Sequence, residues 1–316
     1  MGDAKRNRAS LALEHCICES GKSAGECCYD GRKYVRQPSS VILVSPDNDA
    51  EVDGCYFGST KSCRKKKSKE HLISRAVLSV IKKNQLTVTG LPWQKGGEPM
   101  KIGLDHLQCK CLCQWHNSAL SPLDTAAAQF FSALERADLN RSGDGLKVLV
   151  SGHDVERWML KTLFNFAHAN SLARGGDVLP AKFHPSIDIT AMISDPTAWP
   201  KGSGLYFTNC FGDRVLRDDE FGLSPLTLPS ANEIVGLWMS IQGLSFNLLG
   251  VAPDQRITQP VGLYRPSKVE FHHSNLTNVV ELSWIDGLRH EDVGLTFQST
   301  VGDAQAKGIE LPSYKR

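Results

Sequence analysis

Cysteine placement constrains this chain more than any other feature. Ten cysteines occur in 316 residues, and nine of them precede residue 114, leaving Cys210 alone in the second half. They form three groups: Cys16, Cys18, Cys27 and Cys28; then Cys55 and Cys63; then Cys109, Cys111 and Cys113. The opening stretch MGDAKRNRASLALEHC is basic but has no apolar core long enough for a secretory signal. No run approaches the roughly 18–20 apolar residues that cross a bilayer. The expected location is the cytoplasm, with no membrane contact. Thiols stay reduced there, so clustered cysteines read as metal sites rather than disulfides.

The first group lies in CICESGKSAGECC, residues 16–28, with spacing Cys-x-Cys, eight residues, Cys-Cys. Four thiolates brought together by one Ser-Gly turn complete a closed tetrahedral Zn²⁺ site. A segment this short buries no core, so the metal would supply most of its folding energy. It resembles the SEC-C motif, CxCGSGKxxxxCC, with Glu19 in place of the first Gly and Ser20, Gly21 and Lys22 matching. The resemblance implies an appended knuckle over 1–36 that stabilises the chain or offers a docking point for a protein partner.

The second constellation is spread over 55–124. It reads Cys55-x7-Cys63, the basic run KSCRKKKSK, Glu70-His71, and then CQWHN at Cys113–Asn117 followed by SALSPLD. Cys113-x2-His116 is good ligand spacing, and with Cys55 and Cys63 it makes a second closed zinc set. Cys111 is the alternative to Cys113, and Cys109 has no assigned role. A neutral His can accept a proton from water near pH 7, and a divalent ion on hard oxygen ligands can neutralise charge building on a phosphate.

These residues resemble the HNH (ββα-metal) endonuclease family, and its recombination endonuclease VII-type branch in particular. In that branch a Cys pair and a second pair just before an Asn hold structural zinc, while an acidic-His dipeptide and that Asn form the active site. The resemblance covers roughly 80 residues. It implies His71 as general base and Glu70 and Asn117 as ligands of Mg²⁺ or Mn²⁺. Asp124 is a further candidate ligand, although an acid early in a helix also serves the helix dipole. Adjacent strand residues point to opposite faces, so Glu70 and His71 converge only where the backbone is irregular.

Charge is divided unevenly along the chain. Residues 1–120 carry 19 Lys and Arg against 12 Asp and Glu, a net of +7, and the remainder nets −5. Lys61, Arg64, Lys65, Lys66, Lys67 and Lys69 gather just before Glu70-His71, which suits contact with backbone phosphates. The expected partner is nucleic acid, with DNA the first choice. Trp93 and Trp115 can stack on bases, but a core role is the simpler reading. The reading of function is metal-dependent phosphodiester hydrolysis with two structural zinc ions. A non-enzymatic zinc module that binds nucleic acid or protein has the same residues without turnover.

Hydrophobic periodicity places the motifs. Leu72, Ala76, Val77, Val80 and Ile81 have helical spacing, and QLTVTGLPW alternates as a strand. Ser121-Pro122 opens a helical pattern through LDTAAAQFFSALERA, with Pro in the first turn. NRSGDG at 140–145 is a loop and a candidate boundary, after which VERWMLKTLFNFAHANSLA reads as an amphipathic helix packing through Trp158, Leu160, Leu163, Phe164 and Phe166. From about residue 185 short apolar runs alternate with Gly, Pro and Asp. The expected class is α+β: a knuckle over 1–36, an HNH-like zinc module over 50–140, and a mostly β domain with one or more helices over 146–316.

Overall fold

The computed structural model describes residues 2–298 except 65, 82–84, 89–90, 93, 95–99, 175–176, 210–212, 217–220, 229–231, 254–261, 274 and 287–292. Trp93, Lys65 and Cys210 therefore lie outside the described residues. The chain begins with helix α1 (Gly2–Leu13) and the first cysteine group. Strand β1 (Lys67–His71), helix α2 (Arg75–Ile81), β2 (Gln85–Val88), β3 (Met100–Gly103) and β4 (Gln108–Cys113) follow, and α3 (Gln114–Leu139) continues directly from β4. Next come β5 (Lys147–Ser151), α4 (Gly152–His168), the short β6 (Ala173–Arg174) and β7 (Asp177–Val178), and α5 (Ile189–Ser194). The remainder is β8 (Gly204–Phe207), β9 (Asp213–Leu216), β10 (Phe221–Leu228), β11 (Glu233–Ile241), β12 (Leu244–Leu249), β13 (Leu263–Tyr264), β14 (Lys268–His273), β15 (Leu276–Ser283) and β16 (Val293–Gln298). The class is mixed α+β.

Two five-stranded sheets dominate the second half among the described residues. One is antiparallel in the order β10-β11-β12-β8-β13. Its central β11–β12 hairpin turns through Gln242 and Gly243, both at positive φ. That is the two-residue turn whose twist matches paired strands, and Gly is at home in its left-handed region. The other sheet is mixed, in the order β5-β15-β14-β16-β9, with β5 parallel to β15. The short runs expected from residue 185 onward thus do form strands.

Helix α3 starts at Gln114, seven residues before the expected start, because the Cys113 side chain caps it by accepting from the His116 N–H. Pro122 consequently sits inside the helix rather than in its first turn. The proline leaves the Ser118 carbonyl without its usual partner, and the Ser121 hydroxyl donates to that carbonyl at 2.8 Å instead. Leu120, Leu123, Ala127, Phe130, Phe131 and Leu134 form its buried stripe.

Helix α4 departs from its expected amphipathic form. Every residue from Gly152 to Ala167 is buried, including His153, Asp154, Glu156, Arg157 and Lys161. Trp158, Leu160, Leu163, Phe164 and Phe166 pack in the core as expected. The helix touches α3, α5, β4, β8, β11, β12 and β15, so it has no solvent face on which to put its charges. Each charge instead finds a partner across an interface. Arg157 donates to Asp154 at 2.5 Å, to the Ser39 carbonyl at 2.7 Å and to the Ile193 carbonyl at 2.9 Å. Glu156 accepts from Arg265 at 2.7 and 2.9 Å and from the Leu205 N–H at 2.7 Å. Gly204 is required beside it, since a Cβ there would collide with the Glu156 carboxylate.

One apolar core runs from Val41 through α2, β4, α3 and α4 to Trp284, continuous across the 140–146 loop. Arg265 is 1% exposed, pairs with Glu156 and Asp286, and lies between the Tyr264 and Trp284 rings. Arg265→Met leaves the Glu156 carboxylate buried without its cation. The expected loss is about 3–5 kcal/mol of folding stability, measured by urea unfolding. A change under about 0.5 kcal/mol would show that the pair contributes no more than a surface substitution does.

Candidate metal centres

The first cluster is built by tight turns. The Glu19 N–H donates to the Cys16 carbonyl at 2.9 Å, the Cys16 N–H donates to the Lys22 carbonyl at 2.9 Å, and the N–H groups of Cys27 and Cys28 both donate to the Ala24 carbonyl. These bonds bring the sulfurs of Cys16, Cys18, Cys27 and Cys28 within 4.8 Å of one another, with Cys27 exposed and the other three buried. Sulfurs about 2.3 Å from a common ion stand roughly 3.8 Å apart, so the set fits one Zn²⁺. Glu19 occupies φ +62, the left-handed region, at the position where the SEC-C motif has glycine. Its carboxylate binds Arg136 of α3 through two bonds of 2.6 and 2.7 Å, which offsets the backbone cost. The Leu149 N–H of β5 also donates to the Ile17 carbonyl, so the knuckle is held against the rest of the chain.

The second cluster joins three separate segments. Cys55, Cys63, Cys113 and His116 are all buried, and their ligand atoms lie within 4.8 Å of one another. His116 Nδ1 stands 3.4, 3.6 and 3.2 Å from the sulfurs of Cys55, Cys63 and Cys113. On the far side of the ring, Nε2 donates to the Leu43 carbonyl at 3.0 Å. That bond fixes the tautomer and leaves the Nδ1 lone pair aimed at the sulfurs, as a metal-binding histidine requires. Burial holds the ring's pKa below the ordinary histidine value, which keeps it neutral and able to ligate. Burial also pushes the Cys63 thiol up to about 12, with neighbouring Cys55 and Cys113 adding to it. Burial raises the Cys55 thiol as well, so neither of these two thiols ionises readily without a cation beside it. Cys113, and not Cys111, belongs to this set of four.

The apolar run VILVS supplies the support. Residues 41–45 belong to no helix or strand, and burial alternates along them, with Val41, Leu43 and Ser45 buried and Ile42 and Val44 exposed. The Leu43 carbonyl receives both His116 and the Trp115 indole N–H, the latter at 3.2 Å. Trp115 is half-buried, and the Arg64 guanidinium lies 5.7 Å from its ring centre.

The Glu70-His71 dipeptide is divided between two faces. Strands β1 and β4 pair antiparallel, and their register slips between Ser68 and Glu70, not between Glu70 and His71. Ser68 and Glu70 consequently share the inner face, while Lys67, Lys69 and His71 share the other. His71 Nε2 is 3.1 Å from the amide nitrogen of Gln108, its cross-strand partner, and 3.6 Å from Asp105. Glu70 is 5% exposed and bonds Lys161 of α4 at 2.8 Å, and the same ammonium bonds both oxygens of Asp124 at 2.7 Å. Asn117 donates to the Ser68 hydroxyl at 2.7 Å.

Glu70, Asp124 and Asn117 thus lie around the space between β1 and α3, but a cation already sits between the two carboxylates. As arranged, that donor set does not fit Mg²⁺ or Mn²⁺. Burial raises the Glu70 carboxyl, Lys161 pulls it down, and Asp124 pushes it up again. Burial works against the Lys161 ammonium, but Asp124 and Glu70 outweigh it and raise its pKa. Lys161 was not among the residues expected at this site. Its signal was a lone Lys within the apolar stretch WMLKTLF, where a solvent-facing reading of the helix hid it. Asn165 was missed too. It accepts from the Tyr56 hydroxyl at 3.0 Å and donates to the His71 carbonyl at 3.1 Å, tying α4 to the end of β1.

Lys61, Arg64, Lys66, Lys67 and Lys69 are all exposed, while Lys65 lies outside the described residues. Among the described residues, no helix is long and apolar enough to cross a membrane.

Purified chain is expected to carry two zinc ions by elemental analysis, with one lost in His116→Ala and the other in Cys28→Ser. Zinc retention against a chelator should fall as pH is lowered, because the thiols must lose protons to bind. Lys161→Met strands the buried Glu70 carboxylate and leaves the partly exposed Asp124 without its cation, and should cost about 3–5 kcal/mol in urea unfolding. Adding Glu70→Gln should recover part of that loss by removing one of the unpaired charges. No family model, no curated protein and no solved structure matches the chain, so its own residues carry the functional reading.

Proposed function

We propose that this chain binds nucleic acid through the cationic outer face of a zinc-clamped hairpin. The observation that carries the reading is the run from Lys61 to Lys69. Its five described cations are all exposed, and no acidic residue interrupts the run. Lys67 and Lys69 point outward from β1, and Cys63, within the run, belongs to the buried metal set. A metal-anchored strand presents its lysines without the ordering cost that a loose basic loop meets on binding. Cations spaced this way neutralise phosphates and do not read bases, so the binding is expected to be strong at low salt and indifferent to sequence.

The strand–strand–helix order of β1, β4 and α3 supports a ββα-metal framework of the HNH type. Glu70-His71 stand on the first strand, and Asn117 follows the last zinc ligand. Turnover has less support than binding. Glu70 and Asp124 are both bound by Lys161, and His71 is on the other face of β1. Phosphodiester hydrolysis is kept as a second reading, favoured by the proximity of Asp105 to His71, an acid placed to orient a general base.

Fluorescence anisotropy of labelled DNA and RNA oligonucleotides across a salt series tests the first reading. Binding should weaken steeply with salt, and Lys66→Ala, Lys67→Ala and Lys69→Ala together should lower the log–log slope by about 3, one per lost phosphate contact. A triple variant that binds like the wild type would overturn it. In a plasmid-nicking assay with Mg²⁺ or Mn²⁺ the wild type is expected to be inert. Nicking that disappears in His71→Ala would instead establish hydrolysis.

A further inference from the structure

The basic run meets an aromatic ring where β4 passes into α3. Lys67 stands across from Cys113 in the β1–β4 register, and the Gln114 N–H donates to the Lys66 carbonyl at 3.0 Å. Trp115 is the next residue, in the first turn of α3. Its side chain is half-buried, and the Arg64 guanidinium lies over the ring, 5.7 Å from its centre. Arg64 itself is exposed.

The ring is held in place beside these cations. Its indole N–H donates to the Leu43 carbonyl at 3.2 Å, the same carbonyl that receives His116. Cys113 and His116, two residues before it and one after, both belong to the buried second cluster. Ile42 and Val44, on either side of Leu43 in the sequence, are 63% and 61% exposed. Exposed aliphatic side chains contribute nothing to phosphate binding. An indole, a guanidinium plane and two exposed aliphatic groups instead suit the flat apolar faces of nucleic-acid bases.

We infer that the partner is a single-stranded nucleic acid, with an unpaired base stacked at Trp115 and Arg64 while Lys66 and Lys67 hold the backbone. The inference rests on the nucleic-acid reading above and narrows it to one class of strand. A row of ammonium groups alone binds duplex and single strand alike, through phosphates. In a duplex the base faces are stacked on one another and do not reach a side chain, so the indole would gain nothing from it. A single strand can turn a base out onto the ring. Arg64 then serves both halves of the ligand, its charge facing the backbone and its plane facing the base. Stacking tolerates any base, because each has a π-face, and this agrees with lysines that do not read sequence.

Anisotropy titrations of the zinc-loaded full chain test this, using a labelled DNA strand alone and the same strand annealed to its complement, at one salt concentration. The single strand should bind about fivefold more tightly or better. Trp115→Ala should weaken single-strand binding by about tenfold and leave duplex binding within about twofold, with zinc content retained. Arg64→Lys, at an exposed position that does not threaten the fold, keeps the charge and removes the plane. It should lower single-strand affinity by about threefold while the salt dependence stays unchanged. Binding of neither form would overturn the nucleic-acid reading and this inference together. Equal binding of strand and duplex would overturn the inference alone, as would an Arg64→Lys chain that binds the single strand like the wild type.

Discussion

Helix α4 is buried on every side, and much of the structure follows from that constraint. A helix carrying Asp154, Glu156, Arg157 and Lys161 with no path to water can be accommodated only if each charge meets an opposite charge or a carbonyl. The partners come from six places: the 39 segment and α5 for Arg157, β8 and Arg265 for Glu156, and β1 with α3 for Lys161. A different docking of the hairpin or of either sheet would strand a charge in the core. The helix therefore fixes the relative position of pieces that apolar packing alone would hold less specifically.

Clustered ligand atoms stand where the chain is too thin for a core. Residues 14–29 have few apolar side chains, and an ion held by their four sulfurs would replace what packing supplies elsewhere. At the second cluster, ligands from residues 55, 63, 113 and 116 tie an irregular segment to the junction of β4 and α3. The Leu43 carbonyl completes it from a third segment, so the run at 41–45 braces the His116 ring rather than forming a strand.

The hairpin between these two anchors has two electrostatically distinct faces. Alternation along β1 sends Ser68 and Glu70 inward and Lys67, Lys69 and His71 outward. Inside, one ammonium binds two carboxylates, which leaves a formal charge of −1. Outside, the lysines remain available to anionic partners. The division comes from the two-residue period of a strand, and the one irregularity in register lies too early to rotate His71 toward Glu70.

Sequence alone determined the features that depend on local spacing. Both candidate metal sets were legible because ligand identity and separation are nearly sufficient for tetrahedral coordination, but spacing left Cys111 open beside Cys113 until the fold placed Cys113 in the set. The existence of α2, α4 and the later strands was legible from apolar periodicity, as was the packing role of Trp158 and its neighbours. The start of α3 was not, because Pro122 signals a first turn as strongly as it marks an interior proline rescued by Ser121. Tertiary structure alone decided that α4 has no exposed face, that Lys161 lies between Glu70 and Asp124, and that the Leu43 carbonyl orients His116. Each of these joins residues dozens of positions apart. Periodicity reports which face of an element is apolar, but not whether its polar face meets water or another charge.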